Sequence, residues 1–236
     1  MKTNTLNRRW GTLFRNLCCA SALAASSAGA AVVWDFNPSN QNAPTGSTSQ
    51  VFTSGGFQIT ARGYDNDGST PNTPHQLYYK NVTDIDGAIE RGLGLVGTLN
   101  NELQTSGGTP TNYIQLDLSS ILSQGFVNGQ IKVGSLQAGE SFQLFGSNVQ
   151  GTLGTAISGV FTGLAFDNQF VSIPSFGTFQ FISIGSVAGD MLPVAFAADI
   201  APIPEVGALL PIVALLAAVA GTSFLRRRNA PQIGAA

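Results

Sequence analysis

The sequence predicts an all-β fold, a jelly-roll-like β-sandwich, and three observations predict it. Across residues 31–202, short apolar stretches are separated by clusters of Gly, Asn, Ser, Thr and Asp, at intervals near those of sandwich strands. Several of these stretches alternate with a period of two, as half-buried strands do. No amphipathic helix of 10–15 residues intervenes, which disfavours a parallel α/β sheet. Composition agrees. Only 10% of the 236 residues are charged, against about 25% in ordinary soluble domains, and 28 Gly with 11 Pro exclude a coiled coil or helical bundle. A chain that is 43% hydrophobic with 15 Phe has enough apolar surface for a core, which argues against disorder.

Taken in order, strands are expected at Val32–Phe36, around Phe57, Ile59 and Ala61, and at Gln76–Lys80. Tyr113–Leu118 alternates most cleanly, with Ile114, Leu116 and Leu118 on one face. Ser119–Gln124 reads as a helical turn. Asn128-Gly129 predicts a tight hairpin turn between Phe126-Val127 and Ile131–Val133, because both residue types tolerate positive φ. Further strands are expected at Ser141–Phe145, Ala156–Phe161, Gln169–Ile173, Thr178–Ile184 and Leu192–Ala197. Ile131–Ser135 resembles Ile182–Ser186, and each is followed by an Ala-Gly-acid step (Ala138–Glu140 and Ala188–Asp190). Two copies predict two equivalent hairpins, whereas a solenoid needs at least three repeats.

The two ends read as targeting segments. The first 34 residues hold no acid, and Lys2, Arg8, Arg9 and Arg15 precede the apolar stretch Leu17–Ala25. Small residues then end in Ala28-Gly29-Ala30, so 1–30 is expected to be a secretory signal peptide cut after Ala30 by signal peptidase. An amphipathic N-terminal helix is the structural alternative. Arg8-Arg9 invites a twin-arginine reading, but general secretion is preferred, since no cofactor motif downstream needs export in a folded state. Both cysteines, Cys18 and Cys19, lie inside this signal, so the mature chain is expected to use neither disulfides nor thiolate chemistry.

Val206–Leu225 is an uncharged run of 20 residues closed by Arg226, Arg227 and Arg228. As a helix it is expected to span about 30 Å of hydrocarbon. The arginines are expected to hold its end in the cytoplasm, with 229–236 as a cytoplasmic tail and the preceding domain outside. A buried core helix is the bland alternative.

Ile203-Pro204-Glu205, the apolar run and the arginine cluster together resemble the PEP-CTERM sorting signal of Gram-negative bacteria; Val206 stands where that motif has its second proline. The resemblance covers 203–228 and implies sorting through Pro204 and Glu205 by exosortase, a membrane protease that releases or transfers proteins to the cell surface or matrix. Leu93–Leu95, Asn101–Leu103, Gln115–Leu118, Gly146–Asn148 and Leu153–Thr155 follow in an order similar to PEP-CTERM ectodomains. That likeness implies a fold and an address, and no agreed activity.

Candidate chemistry is sparse. His75, the single histidine, falls in a proline-rich loop and is expected to be solvent-exposed; with no G-x-S-x-G, a serine triad has no frame. Zinc sites normally need two or three His or Cys ligands. Asp84, Asp86, Glu90 and Glu102 are the carboxylates near enough in sequence for a glycosidase pair, which requires a separation of roughly 5–9.5 Å. Asp65-Asn66-Asp67-Gly68-Ser69 is the best metal candidate, because alternating oxygens at Asp65 and Asp67 suit calcium. As turn chemistry alone, the same residues make an Asx-type hairpin tip.

Residues 31–202 hold twelve acids against four bases (Arg62, Lys80, Arg91 and Lys132), a net charge of −8, which speaks against nucleic-acid partners. The expected role is that of a non-enzymatic exported protein, membrane-anchored and then surface- or matrix-bound. Its contacts would be structural or adhesive, with extracellular polysaccharide or neighbouring copies. A calcium-assisted carbohydrate-binding module is the second reading, and a glycan hydrolase the third. Exposed aromatic residues on a concave face would favour the second, and Trp34, Tyr64, Tyr78, Tyr79 and Tyr113 are the candidates.

Overall fold

The computed structural model describes residues 31–83, 87, 89–201 and 216. Ala28, Ala30, Asp84, Asp86, Pro204, Glu205, the anchor run apart from Leu216, and Arg226–Arg228 lie outside the described residues. No helix among the described residues is long and apolar enough to cross a membrane. The strands all belong to one compact unit, Gly29–Ala201.

The first strands are β1 (Ala31–Asp35), β2 (Ala43–Pro44), β3 (Ser49–Ser54), β4 (Phe57–Asp65), β5 (Pro74–His75), β6 (Leu77–Thr83) and β7 (Ile89–Leu95). After a 3-10 turn at Leu99–Asn101 come β8 (Leu103–Ser106), β9 (Thr109–Pro110), β10 (Asn112–Asp117) and the single helical turn α1 (Ser119–Leu122). The chain continues as β11 (Phe126–Gly134), β12 (Ser141–Ser147), β13 (Thr155–Ala156), β14 (Phe161–Thr162), β15 (Gln169–Ser172), β16 (Phe181–Ala188) and β17 (Asp190–Ile200).

Every pairing is antiparallel, so the described part is all-β with little helix. One sheet runs β15-β11-β17-β8-β9, with β1 also on β17. A second runs β13-β12-β16-β10-β4-β3, with β14 on β12 and β5 on β4; a third is β2-β6-β7. One hydrophobic cluster draws on all three, including Trp34, Ile131 and Phe196 from the first, Ile114, Leu116, Phe142 and Ile184 from the second, and Leu77, Leu93 and Leu95 from the third. The architecture is sandwich-like.

The period-two pattern explains which residues meet. Ile131 faces Phe196 across β11–β17, and Phe196 faces Trp34 across β17–β1, so one inward row crosses three strands. The Trp34 ring lies 5.3 Å from Phe196 and 5.7 Å from Phe126. Its indole N–H donates to the Phe57 carbonyl at 3.0 Å, which satisfies the polar end of an otherwise apolar group.

Four expectations change. Asn128-Gly129 is no hairpin turn: β11 runs straight through it, with Val127 opposite Asp199 and Gln130 opposite Ala197. Three residue steps on β11 thus match two on β17, which is a β-bulge, with Asn128 at φ 55°. The Phe176 ring would lie 2.1 Å from any Cβ on Gly129. Because β17 continues past this point, the extra residue is absorbed inside the pairing instead of reversing the chain. Ala156–Phe161 is broken, only its ends pairing with β12 as β13 and β14.

The repeated segments are not hairpins either. β11 and β12 lie in different sheets, as do β16 and β17. Each repeat is therefore a corner between sheets, and the corners pair with one another, β11 with β17 and β12 with β16. The two Ala-Gly-acid steps meet there: the Asp190 N–H donates to Glu140 Oε1 at 3.4 Å, and Glu140 Cγ fills the space beside Gly189. Finally, β10 has no solvent face. Ile114, Leu116 and Leu118 are buried as expected, but so are Tyr113 and Gln115. Gln115 bonds the Gly151 N–H at 2.8 Å and the Thr152 carbonyl at 2.9 Å, so the loop after β12 covers the outer side.

The strands at Ser49–Ser54, Ile89–Leu95 and Leu103–Ser106 had no clear signal. In β7 the reason is glycine: a Cβ on Gly92 would sit 2.5 Å from the Pro193 carbonyl, and one on Gly94 1.7 Å from the Asn101 carbonyl. Backbone approaching backbone leaves no room for the β-branched residues that mark a strand. Gly94→Ala is expected to cost more than about 2 kcal/mol, since the neighbour is main chain and has no rotamer to yield. Gly97→Ala, at φ 77° in open space, should cost only about 1 kcal/mol of backbone strain. Equilibrium urea unfolding of the two variants checks the order.

Candidate functional site

The described acids that sequence reasoning weighed as a pair, Glu90 and Glu102, are brought together, and by a lysine. On the β6–β7 ladder Lys80 lies opposite Gly92 and Val82 opposite Glu90, so Lys80 and Glu90 are diagonal neighbours on one face. Glu102 arrives from the 3-10 turn, whose geometry is held by the Thr98 hydroxyl bonding the Leu95 and Glu102 carbonyls at 2.9 and 2.7 Å. Lys80 Nζ donates to Glu90 Oε2 at 2.7 Å and to Glu102 Oε1. Ser135, at the corner after β11 with φ 63°, places its hydroxyl 2.9 Å from Glu90 Oε1 and 3.0 Å from Glu102 Oε1.

Lys80 and Glu102 are 5% and 1% exposed. Burial pushes the Glu102 carboxyl up to about 7, with the Lys80 hydrogen bond opposing and the Asp190 and Glu90 charges adding. Burial works against the Lys80 charge, but its bonds to Glu102 and Glu90 carry it above the usual lysine range. Ser135 shares its hydroxyl between Glu90 Oε1 and Glu102 Oε1, and Glu102 Oε1 also accepts from Lys80.

This cluster forms the floor of a cavity of about 400 Å³, lined by Lys80 and Glu90 and rimmed by Asn42, Tyr78, Asn100 and Gln137. The Tyr78 hydroxyl donates to Asn42 Oδ1 at 3.3 Å. Asn100 and Asn101 both adopt φ 57°, and Asn100 Nδ2 donates to Asp190 Oδ2 at 3.3 Å. Of the five aromatic platform candidates, Trp34, Tyr64 and Tyr113 are buried, and Tyr78 is the one that lines this cavity. A larger cavity, about 610 Å³, lies along the β11 bulge, where Asn128 and Asp199 on its wall bond each other at 3.0 Å.

The Asp65–Ser69 loop is organised differently from a metal cradle. Asp65 Oδ1 lies 2.7 Å from His75 Nδ1, while Asp67 turns away to accept from the Ser69 hydroxyl and the Thr73 hydroxyl, each at 2.5 Å. The Ser69 hydroxyl first, then that of Thr73, hold the Asp67 carboxyl down at about 2. The Asn72 amide, its nitrogen toward the Ser69 carbonyl at 2.7 Å and its oxygen toward the Tyr113 hydroxyl at 2.9 Å, ties the loop to the core. Burial raises that phenol to about 12. Among the described residues, no group of three or more His, Cys, Asp or Glu is placed to hold a metal ion. His75 departs from the exposed loop position expected for it. It pairs in β5 against Gly63 of β4 and is half-buried, its Nε2 2.7 Å from the Val96 carbonyl.

Of the four bases in this unit, Arg62 pairs with Asp117 at 3.3 Å, Arg91 with Asp35, and Lys80 with its two glutamates, while Lys132 sits 5.9 Å above the Phe170 ring. Each cation is spoken for within the fold. Glu140 is raised by burial first, despite the Gln137 N–H, and by the neighbouring Asp190 carboxyl.

Comparison with protein-family models, with curated proteins and with solved structures finds no match to this chain.

The Glu102 carboxyl holds its proton to about 7 when folded and to 4.5 when unfolded. Its contribution to stability is therefore complete below pH 4.5 and is lost as pH rises through 7, on the order of 3 kcal/mol at most. Melting temperatures measured from pH 5 to pH 8 should fall. Glu102→Gln, which mimics the neutral acid, should flatten most of that slope, leaving a smaller fall of the same sign from Glu140. An unchanged slope in the variant would place the titration elsewhere.

Proposed function

We propose that this chain is a non-enzymatic exported protein: a jelly-roll-like sandwich sorted by a PEP-CTERM-like signal, with a structural or adhesive role in the envelope or extracellular polysaccharide. The observation that carries the reading is the C-terminal series Pro204-Glu205, 20 uncharged residues and Arg226–Arg228, joined to a leader ending at Ala28-Gly29-Ala30. In this reading signal peptidase and an exosortase-like protease process the two ends, and the net charge of −8 over 31–202 keeps nucleic acid away.

The arrangement of the acids supports a binding role over hydrolysis. A glycosidase leaves the bond to be cut between two carboxyls. Here the Lys80 ammonium and the Ser135 hydroxyl occupy the space between Glu90 and Glu102. Calcium assistance through Asp65 and Asp67 has less support than at the sequence level, because the two side chains engage different partners.

Intact-mass spectrometry of the protein from its native cell tests the processing. The expected chain begins at Ala31 and ends near Glu205. Surface-localised protein that retains Arg226–Arg228 would overturn exosortase release.

A further inference from the structure

The cavity over Lys80 and Glu90 has features that select a ligand class. Its volume, about 400 Å³, falls within the roughly 300–1,000 Å³ of small-molecule sites, but its walls are polar where most such sites are apolar. An apolar guest would strip water from Lys80 and Glu90 and return no hydrogen bonds. Anions are opposed by Glu90 at the floor and by Asp190 held beside Asn100. A cation finds Glu90 and Glu102 already paired to Lys80 and meets that ammonium on the same floor. What remains is a neutral molecule able to donate and accept at several points.

The floor is built in advance of any guest. Glu102 and Ser135 hold Lys80 and Glu90 in place, and both residues line the cavity, so the groups that would meet a guest are ordered before it arrives. On the rim, the Gln137 amide offers a donor and an acceptor, Asn100 its amide oxygen and second N–H, Asn42 its amide N–H because its oxygen already accepts from Tyr78 and Asn81, and Tyr78 a ring. Each Glu90 oxygen already accepts one bond, from Lys80 or from Ser135, and a carboxylate oxygen has a second lone pair with which to accept a guest hydroxyl.

We propose that this cavity binds one neutral sugar residue, its vicinal hydroxyls on Glu90 and Lys80 and its rim hydroxyls on the Asn100 and Gln137 amides. This site rests on the adhesive reading above and gives it a location and a ligand class: uncharged glycan, bound one ring at a time and made firm by many copies on one polymer.

Saturation-transfer NMR tests the proposal on the full chain, held in a detergent without a sugar headgroup. The probes are methyl α-glucoside, methyl α-mannoside and methyl β-galactoside, with glucuronate and glucosamine as charged controls. At least one neutral glycoside should bind with a Kd of about 1–10 mM, as a few hydrogen bonds to one ring allow, and the charged sugars more weakly. Glu90→Gln should weaken it about tenfold, the loss of one charge-assisted bond. The double variant Asn100→Gly, Gln137→Ala removes two rim amides without touching the core, and glycine keeps the positive φ at 100; it should weaken binding as much with an unchanged melting temperature. No neutral glycoside bound at 50 times that range's lower end (~50 mM), or binding that both variants leave intact, overturns the site. Retention on polysaccharide from the native matrix is measured separately. If glycosides bind through these residues and the matrix polysaccharide does not, the adhesive reading fails and the sugar site stands; if the polysaccharide binds and both variants leave glycoside binding intact, the site fails alone.

Discussion

The approach of β7 to its neighbours at Gly92 and Gly94 is the constraint on which the rest of the structure turns. At Gly92 the β7 backbone lies against the Pro193 carbonyl of β17, and at Gly94 against the Asn101 carbonyl. With any side chain there, the β6–β7 hairpin could not seat on the first sheet, and Leu77, Leu93 and Leu95 could not join the common core. The same seating turns Lys80 and Glu90 inward, onto the turn that carries Glu102 and the corner that carries Ser135.

That packing explains why the Lys80 charge is tolerated in the interior. A buried lysine alone would lose its proton or unfold the region. Two glutamates and a hydroxyl around Lys80 exceed what its single charge needs, and the surplus is relieved by the raised affinity of Glu102 for a proton. The cluster is thus neutral or singly negative according to pH. Its stored order is what lets the cavity above it present a fixed floor.

β17 supplies the frame. Eleven residues long, it pairs with β11 on one edge and with β1 and β8 in succession on the other. Because β11 and β17 are the first-sheet halves of the two self-similar corners, whose other halves β12 and β16 pair in the second sheet, the repeat links the two sheets at a single seam. Glu140 and Asp190 meet at that seam, so the internal resemblance between the two segments is also a contact between them.

Local chemistry alone determined the all-β class, the buried row Ile114, Leu116 and Leu118, a strand at Leu192–Ala197, the helical turn at Ser119, and the acidic balance of 31–202, because side-chain alternation and charge are written residue by residue. It also named the members of the site singly, Glu90 and Glu102 as acids and Tyr78 as an aromatic. Only the tertiary structure decided which of them act together. Asn128-Gly129 has the chemistry of a hairpin tip, yet a partner strand that runs on past it makes it a bulge. Lys80 alternates like a solvent-facing strand residue, yet 22 positions separate it from the buried carboxylate it binds. Pairings of that range depend on register and on backbone approach distances, which the order of side chains along a strand does not encode.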